Sequence, residues 1–208
     1  MTDYAAFGDL SPCTRMSTSA SVQVTDAGVH HLWQGAPRVA GPAYTVHCPA
    51  GDNLMLHAAI YRAEPGSVTV MEAGDVDYTV AGGNVCAVAQ TRGVVTFVTN
   101  GTIRDLAEIR KLGFPVFARG VISIPGVKEK LRVLGGPVRC GGVWVEASDV
   151  VVVDEEGVVV VPALQAEAGL EKAKARAAKD ETDLESWEAA HRARTEVILQ
   201  SKGFFRLG

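Results

Sequence analysis

Two short loops carry the residue types from which chemistry is usually built. Ala81-Gly82-Gly83-Asn84-Val85-Cys86 opens one helical pattern. Asn100-Gly101-Thr102-Ile103-Arg104-Asp105 leaves a β-branched run and enters another. The start of a helix presents N–H groups with no intrahelical acceptor and a partial positive charge, which suits a carboxylate. Gly82 and Gly83 let such a ligand approach the backbone closely. Arg104 adds a planar fork matched to a carboxylate. Asp105 is a hard oxygen donor of the kind that Mg²⁺ and Mn²⁺ prefer. Together these types describe an anion site beside a divalent cation. The same types also occur as turn glycines, a helix cap and a surface ion pair, and spacing alone leaves both readings open.

Other chemistries lack their signatures. There is no GxGxxG, no P-loop, no HExxH and no GxSxG. VMEAGDVDYTVAGG is only faintly like a nucleotide-binding loop, so a methyltransferase finds no cofactor motif. His30, His31, His47 and His57 are spaced unlike zinc ligands and read as ordinary loop or helix-surface histidines. Cys13, Cys48, Cys86 and Cys140 form no CxxC pair and read as reduced buried thiols. The formal net charge of −4, with no basic run, predicts no nucleic-acid partner. No stretch approaches the ~20 apolar residues of a membrane span. The N-terminal residues lack the pattern of a secretory signal, which predicts a soluble cytoplasmic protein.

The elements that must position the two loops alternate. Residues 41–120 read as strand–helix–strand–helix–strand–helix–strand, the pattern of an α/β layered core with parallel connections. The helices are expected over Asp52 to Ala63, residues 82–92 and Arg104 to Gly113. Residues 15–35 predict a short helix ending near Gly28 and then an extended arm. VISIPG, PVRCGGVWV and DVVVVDEEGVVVVP are β runs that predict closure into a sandwich or barrel, with DEEG as a hairpin. From Pro162 the chain turns into a long charged helix, broken near Asp180–Asp183, with Leu184, Trp187, His191 and Ile198 near one face. The division expected is a core over 1–162 and a helical arm over 163–208 that packs on the core or on a neighbouring subunit.

The run GGNVCAVAQTRGVVTFVTNGTIRDLAEIRKLGFPVFARG resembles the RraA-like family, most specifically in its RD and GFPVFARG portions. GPAYTVHCPAGDNLMLHAAI upstream and PVRCGGVWVEASDVVVVDEEGVVVVP downstream agree with it, so that the resemblance covers about residues 15–200. The family includes 4-hydroxy-4-methyl-2-oxoglutarate aldolase, 4-carboxy-4-hydroxy-2-oxoadipate aldolase and the regulator of ribonuclease activity A. The resemblance implies a layered β/β/α core of the swivelling-domain type, in trimers or hexamers. It implies a divalent-metal-dependent lyase that cleaves 4-hydroxy-2-oxo acids to release pyruvate and also decarboxylates oxaloacetate. Asp105 would then hold Mg²⁺ or Mn²⁺, and Arg104 the oxo-acid end of the substrate. The Gly82–Cys86 loop would hold the pyruvate carboxylate through amides around Asn84 and Val85. A neighbouring subunit would lend an acid, for which Asp180 or Glu181 is the nearest candidate. Two positions depart from the pattern. Gly83 stands where the aldolases carry a carboxylate twenty-one residues before the Arg, and Asn100 stands for an Asp. Asp75, Asp77 or the C-terminal acids are candidates to substitute. The departures keep a second function class in view, a non-catalytic regulator that binds a ribonuclease or another protein. A third is a different lyase on the same scaffold.

Overall fold

Valine-rich runs, punctuated by glycine and proline, set the strands. The computed structural model describes residues 4–9, 22–180 and 184–204. In chain order the first elements are Tyr4–Gly8 (α1), Gln23–Val24 (β1), His30–His31 (β2), Val39–Cys48 (β3) and Leu54–Ala59 (α2). Three strand–short strand–helix units or their parts follow. They are Val68–Ala73 (β4), Thr79–Ala81 (β5) and Gly83–Thr91 (α3); Thr96–Thr99 (β6), Thr102–Ile103 (β7) and Leu106–Leu112 (α4); then Val116–Ala118 (β8) and Gly120–Val121 (β9). Two hairpins come next, Val138–Cys140 (β10) with Val143–Val145 (β11), and Val150–Asp154 (β12) with Gly157–Val161 (β13). Ala166–Asp180 (α5) and Leu184–Ser201 (α6) end the chain.

The main sheet has eight strands in the order β1-β13-β12-β3-β4-β6-β8-β2. Its β3, β4, β6 and β8 are parallel neighbours, as the alternating pattern over 41–120 requires, because parallel strands need crossover connections. A second sheet, β5-β7-β9, is also parallel. Each of its strands follows one strand of the main sheet, so its order repeats that of β4, β6 and β8 just beyond their carboxyl ends. Ligands of open α/β sheets bind at that end.

One face of the main sheet lies under α2, α3 and α4, where Leu56, Ala59, Cys86, Ala89 and Ile109 pack on Val46, Met71, Phe97 and Val116. On the other face β12 and β13 curl over, so that Val151, Val153, Val158 and Val160 meet Val68, Val70, Val98 and Phe117. The β10–β11 hairpin joins this second cluster through Val138, Cys140 and Val145. Its two-residue loop, Gly141-Gly142, has φ of 55° and 82°, the left-handed values a tight hairpin needs. The intervening valines Val150, Val152, Val159 and Val161 pack on Ala166 and Leu170 of α5 and on Phe7. Both faces of β12 and β13 are therefore covered, and their continuous valine runs replace the polar–apolar alternation of a half-exposed strand. Each such valine contributes roughly 1.5–3 kcal/mol relative to exposure.

Some elements differ from the sequence reading. Gln23–Val24, expected within a helix, pairs with Val159–Val160 as an edge strand, while residues 15–21 of that expected helix lie outside the described residues. Of VISIPG only Val121 is in a strand. Pro125 and Gly126 stop the extension, and residues 122–137 cross the molecule as a loop with bridges Thr79–Pro125, Asp52–Val127 and Val46–Leu134. The sheet curls where a sandwich or barrel was expected. The C-terminal residues form two helices; Ala166, Leu170 and Ala173 of α5 are buried, whereas α6 buries none of its residues. Trp187 and His191 stack on its exposed surface, 4.6 Å apart. Among the described residues no helix is long and apolar enough to cross a membrane.

Asp52 holds the 122–137 loop. Its Oδ1 accepts from Leu54 N–H at 2.9 Å, and its Oδ2 from the N–H groups of Glu129 and Lys130 at 2.6 and 3.0 Å. Burial pushes the Asp52 pKa up, but these three donors and the Lys130 charge outweigh it, and the net shift is downward. Asp52→Ala is expected to cost roughly 2–4 kcal/mol, read as a lower urea midpoint. A depressed carboxylate pKa stabilises the fold above the unfolded value of ~3.9 and loses that contribution as pH falls through the folded value. The gap between wild type and variant should therefore close only in acid. A constant gap down to pH 2 would remove the ionised carboxylate from the explanation.

Candidate active site

The small sheet brings the two glycine loops together. Pairing of Thr79 with Thr102 and of Ala81 with Ile103 sets β5 beside β7, and Arg104 N–H donates to Ala81 C=O at 3.0 Å. The starts of α3 and α4 are thereby adjacent, with Gly82 and Asp105 as their caps.

Asp105 has φ 58° and ψ 40°, a left-handed conformation that Asp tolerates better than most side chains. A capping residue is normally extended and bonds its own helix. Here the carboxylate makes no bond to α4. Its Oδ2 instead accepts from Gly83 N–H at 3.0 Å, across the junction of the two helices. Arg104 Nε lies 3.5 Å from the same oxygen. Both side chains are about two-fifths exposed (44% and 41%), so the ion pair adds little to stability and serves to orient the two groups. A side chain at Gly82 would crowd this spot. A Cβ there would lie 2.6 Å from Asp105 Oδ2 and 3.0 Å from Arg104 Nε.

In front of these groups is a cleft of about 90 Å³. That is room for several water molecules or a small ligand fragment. Gly82, Asn84, Val85, Arg104 and Asp105 form one wall, and Asn53, His57, Pro125 and Lys128 the other. Asn84 and Val85 lie in the first turn of α3, where the helix provides no acceptor for their N–H groups. Two cations, Arg104 and Lys128, face one carboxylate, Asp105, so the cleft favours an anion. Burial, aided by the Lys128 charge, holds the His57 pKa below its ordinary value, which leaves the imidazole neutral at neutral pH. Asn53 is buried; its Nδ2 donates to Val80 C=O at 3.1 Å, and its Oδ1 has no partner.

Of the expected site residues, Arg104, Asp105, Gly82, Asn84 and Val85 meet at the cleft, and Gly83 reaches it through the bond to Asp105. Cys86 does not. Its thiol is fully buried, its N–H donates to Gly82 C=O at 3.0 Å, and burial pushes its pKa up to about 12. Cys48 and Cys140 are likewise buried with pKa pushed up to about 12, so none of these three thiols is a nucleophile, and Cys13 lies outside the described residues. Asn100 is engaged elsewhere. Its Oδ1 accepts from Ala73 N–H at 2.7 Å and its Nδ2 donates to Ala73 C=O at 3.4 Å, a pairing that a carboxylate could only half make. Asp75 closes its own turn by accepting from Asp77 and Tyr78 N–H, both at 3.2 Å. Asp180 is the last residue of α5, and Glu181 lies outside the described residues.

The second wall was not singled out in the sequence. His57, read as an ordinary helix-surface histidine, and Asn53 stand four residues apart at the start of α2, hence on one face. That spacing of polar residues in an otherwise apolar helix is the signal available. Lys128 has no local signal, because the Asp52 clasp brings it there.

Known proteins resemble the chain in sequence and in fold. The RraA-like family model, described as Aldolase/RraA, matches residues 11–160. A protein of Halalkalibacterium halodurans named putative 4-hydroxy-4-methyl-2-oxoglutarate aldolase is 41% identical over 145 residues, 69% of each chain. Among solved structures, Streptomyces coelicolor RraAS2, described as an unusual member of the RNase ES inhibitor RraA protein family, superposes with a TM-score of 0.71 at 26% identity, over 93% of this chain and all of that one. The RNA-processing inhibitor RraA from Thermus thermophilis shares the fold at a TM-score of 0.63 and 21% identity, over 78% of this chain and 93% of that one. With its model matched from residue 11 to residue 160 and its layered fold shared with solved members, this chain belongs to the RraA-like family.

Proposed function

We propose that the protein is a divalent-metal-dependent lyase that cleaves 4-hydroxy-2-oxo acids by a retro-aldol reaction, releasing pyruvate, and that it also decarboxylates oxaloacetate. One observation carries the reading. Asp105 is turned left-handed away from its own helix, and its carboxylate is presented at the cleft beside Arg104 and the first turn of α3. A helix cap would need none of this.

The residues present fit Mg²⁺ or Mn²⁺. Among the described residues no three His, Cys, Asp or Glu side chains are grouped to hold a metal. A lone hard carboxylate suits an ion that keeps most of its waters and does not suit zinc. The absence of a side chain at Gly82 preserves the space beside Asp105 Oδ2. When bound there, the ion supplies positive charge to the oxygen that becomes negative as the C3–C4 bond breaks.

The chain does the rest. The N–H groups of Asn84 and Val85 receive the carboxylate of the oxo acid. Arg104 adds a fixed cation near the developing oxyanion, where a preorganised donor contributes most. Lys128, on the facing wall, attracts the second carboxylate of a diacid. His57, held neutral, accepts the proton of the C4 hydroxyl. Homo-oligomers, trimers or hexamers, are part of the same proposal. Leu184, Trp187, Val197 and Ile198 of α6 are 48–78% exposed, apolar surface suited to a neighbouring copy.

Pyruvate release from 4-hydroxy-4-methyl-2-oxoglutarate and from oxaloacetate tests the reading. Turnover is expected with Mg²⁺, is lost in EDTA, returns when the ion is restored, and is inhibited by oxalate. EDTA-insensitive turnover, or none from a folded protein with either substrate, sinks it. The second reading, a regulator that binds a ribonuclease, draws on the missing carboxylate at Gly83 and on the exposed apolar residues of α6. Tight ribonuclease binding in EDTA, without turnover, would favour it.

A further inference from the structure

Resting on the reading that the cleft takes a 4-hydroxy-2-oxo acid, we infer that Asn53 accepts a hydrogen bond from the C4 hydroxyl and makes the cleft select hydroxy acids over oxaloacetate. Asn53 is 7% exposed and lines the wall opposite Asp105. The orientation of its amide is fixed. Nδ2 donates to the C=O groups of Val80 at 3.1 Å and Thr79 at 3.5 Å, both in β5. A flipped amide would set Oδ1 against those two carbonyl oxygens, acceptor against acceptor. The backbone is held as well, because Asn53 N–H donates to Val127 C=O at 3.0 Å. Oδ1 is therefore the free end, and it has no partner. Among the described residues, the other buried side-chain atoms without a partner, on Thr25, His31, Thr45, His47 and Thr69, belong to residues outside the cleft. An unpaired buried acceptor costs stability, and in a binding cleft it marks where a ligand brings a donor.

The chemistry of the cleft says what that donor is. Arg104 and Lys128 carry only donors, which suits the two carboxylates of a diacid. The Asn53 oxygen is of a different kind. It accepts and has no net charge, so it pairs with a neutral O–H and repels a further anionic oxygen. A 4-hydroxy-2-oxo acid carries one such O–H, on C4. Ionised oxaloacetate carries a carboxylate there and has no donor to offer. Binding oxaloacetate leaves the Asn53 acceptor unpaired, and a site built to bond a hydroxyl discriminates against a ligand that lacks it. The C4 hydroxyl has a single proton to share between Asn53 and His57. These two residues stand four apart at the start of α2, on one face, so one hydroxyl oxygen can lie between them. The hydroxyl donates to Asn53 while the substrate is held and turns to His57 for the proton transfer. Asn53 thus serves recognition, and its loss falls on binding rather than on the chemical step.

Two stable probes test this in the full chain without reference to turnover. Citramalate has the hydroxyl, the methyl and the terminal carboxylate of 4-hydroxy-4-methyl-2-oxoglutarate but no oxo group, and methylsuccinate lacks only the hydroxyl. Neither can be cleaved. Calorimetric titration in EDTA removes chelation of an ion as a cause of any preference. Wild type is expected to bind citramalate about 10-fold more tightly than methylsuccinate. Asn53→Leu should bind both as wild type binds methylsuccinate, and that retained affinity shows the variant to be folded. Asn53→Asp keeps an acceptor and gives up the bond to Val80; it should bind both probes more weakly and keep their ratio. In turnover, Asn53→Leu should raise KM for 4-hydroxy-4-methyl-2-oxoglutarate about 10-fold with kcat within about threefold, and leave KM for oxaloacetate unchanged. Equal affinity of wild type for the two probes, or no binding of either, overturns the inference. So does a preference that survives in folded Asn53→Leu, or an equal loss with both substrates. Failure of the underlying reading looks different. In that case the hydroxyl preference is present and is lost in Asn53→Leu, yet no substrate is cleaved.

Discussion

Asp105→Asn is expected to lower kcat/KM for pyruvate release by about 10²–10³-fold while the melting temperature stays within a few degrees of wild type. The substitution isolates the charge. Asn tolerates the left-handed backbone nearly as well as Asp, so φ 58° adds no new strain. Its side-chain oxygen can still accept from Gly83 N–H, which keeps the two helix starts in register. Only the hard anionic oxygen offered to the proposed ion is lost, together with the attraction that orients Arg104 from 3.5 Å. Asp105→Ala is less clean, because Ala at a positive φ is strained and its effect mixes fold with chemistry. Turnover of Asp105→Asn within threefold of wild type would remove Asp105 from the chemistry.

Gly82→Ala should separate activity from stability in the same way. Gly82 has φ −146°, extended backbone that any residue adopts. The added methyl would stand 2.6 Å from Asp105 Oδ2 and 3.0 Å from Arg104 Nε. Those atoms, with Arg104 Cγ at 3.1 Å, belong to half-exposed side chains that can rotate aside at small cost to folding. In moving they leave the positions from which they act, and a displacement of about 1 Å at a reacting centre can cost ~10²-fold in rate. A loss of about 100-fold in kcat/KM with little change in urea midpoint is the expected result. Unchanged activity would show that the Asp105–Arg104 geometry has slack. A large fall in stability would mean that the loop cannot yield, and that Gly82 is structural.

The parallel core was legible because each strand between 41 and 120 is a β-branched run closed by a Gly or Pro, and each helix has apolar residues at helical spacing. The small sheet was not. Strands of two or three residues, such as Thr102–Ile103, show no period, yet this sheet places Arg104 beside Gly82. One wall of the cleft was legible because its chemistry lies in two contiguous motifs. Lys128 escaped notice because its position depends on Asp52, whose bonds to Glu129 and Lys130 span 77 and 78 residues of chain. Asn100 shows the opposite case. It reads as a lost carboxylate in the sequence, and its amide bonds to Ala73 explain its presence.

The left-handed backbone at Asp105 also bears on how such a scaffold can change over generations. Few residue types sit there without strain, and chiefly Asp, Asn and Gly do so. In the genetic code Asn and Gly are each a single nucleotide change from Asp. At this position a single change can thus remove the charge and leave the backbone intact. A lineage can shed this carboxylate in one step and keep a folded protein whose surfaces remain open to selection for binding. If the proposed role of Asp105 holds, a single codon separates a member of this fold that has the chemistry from one that lacks it.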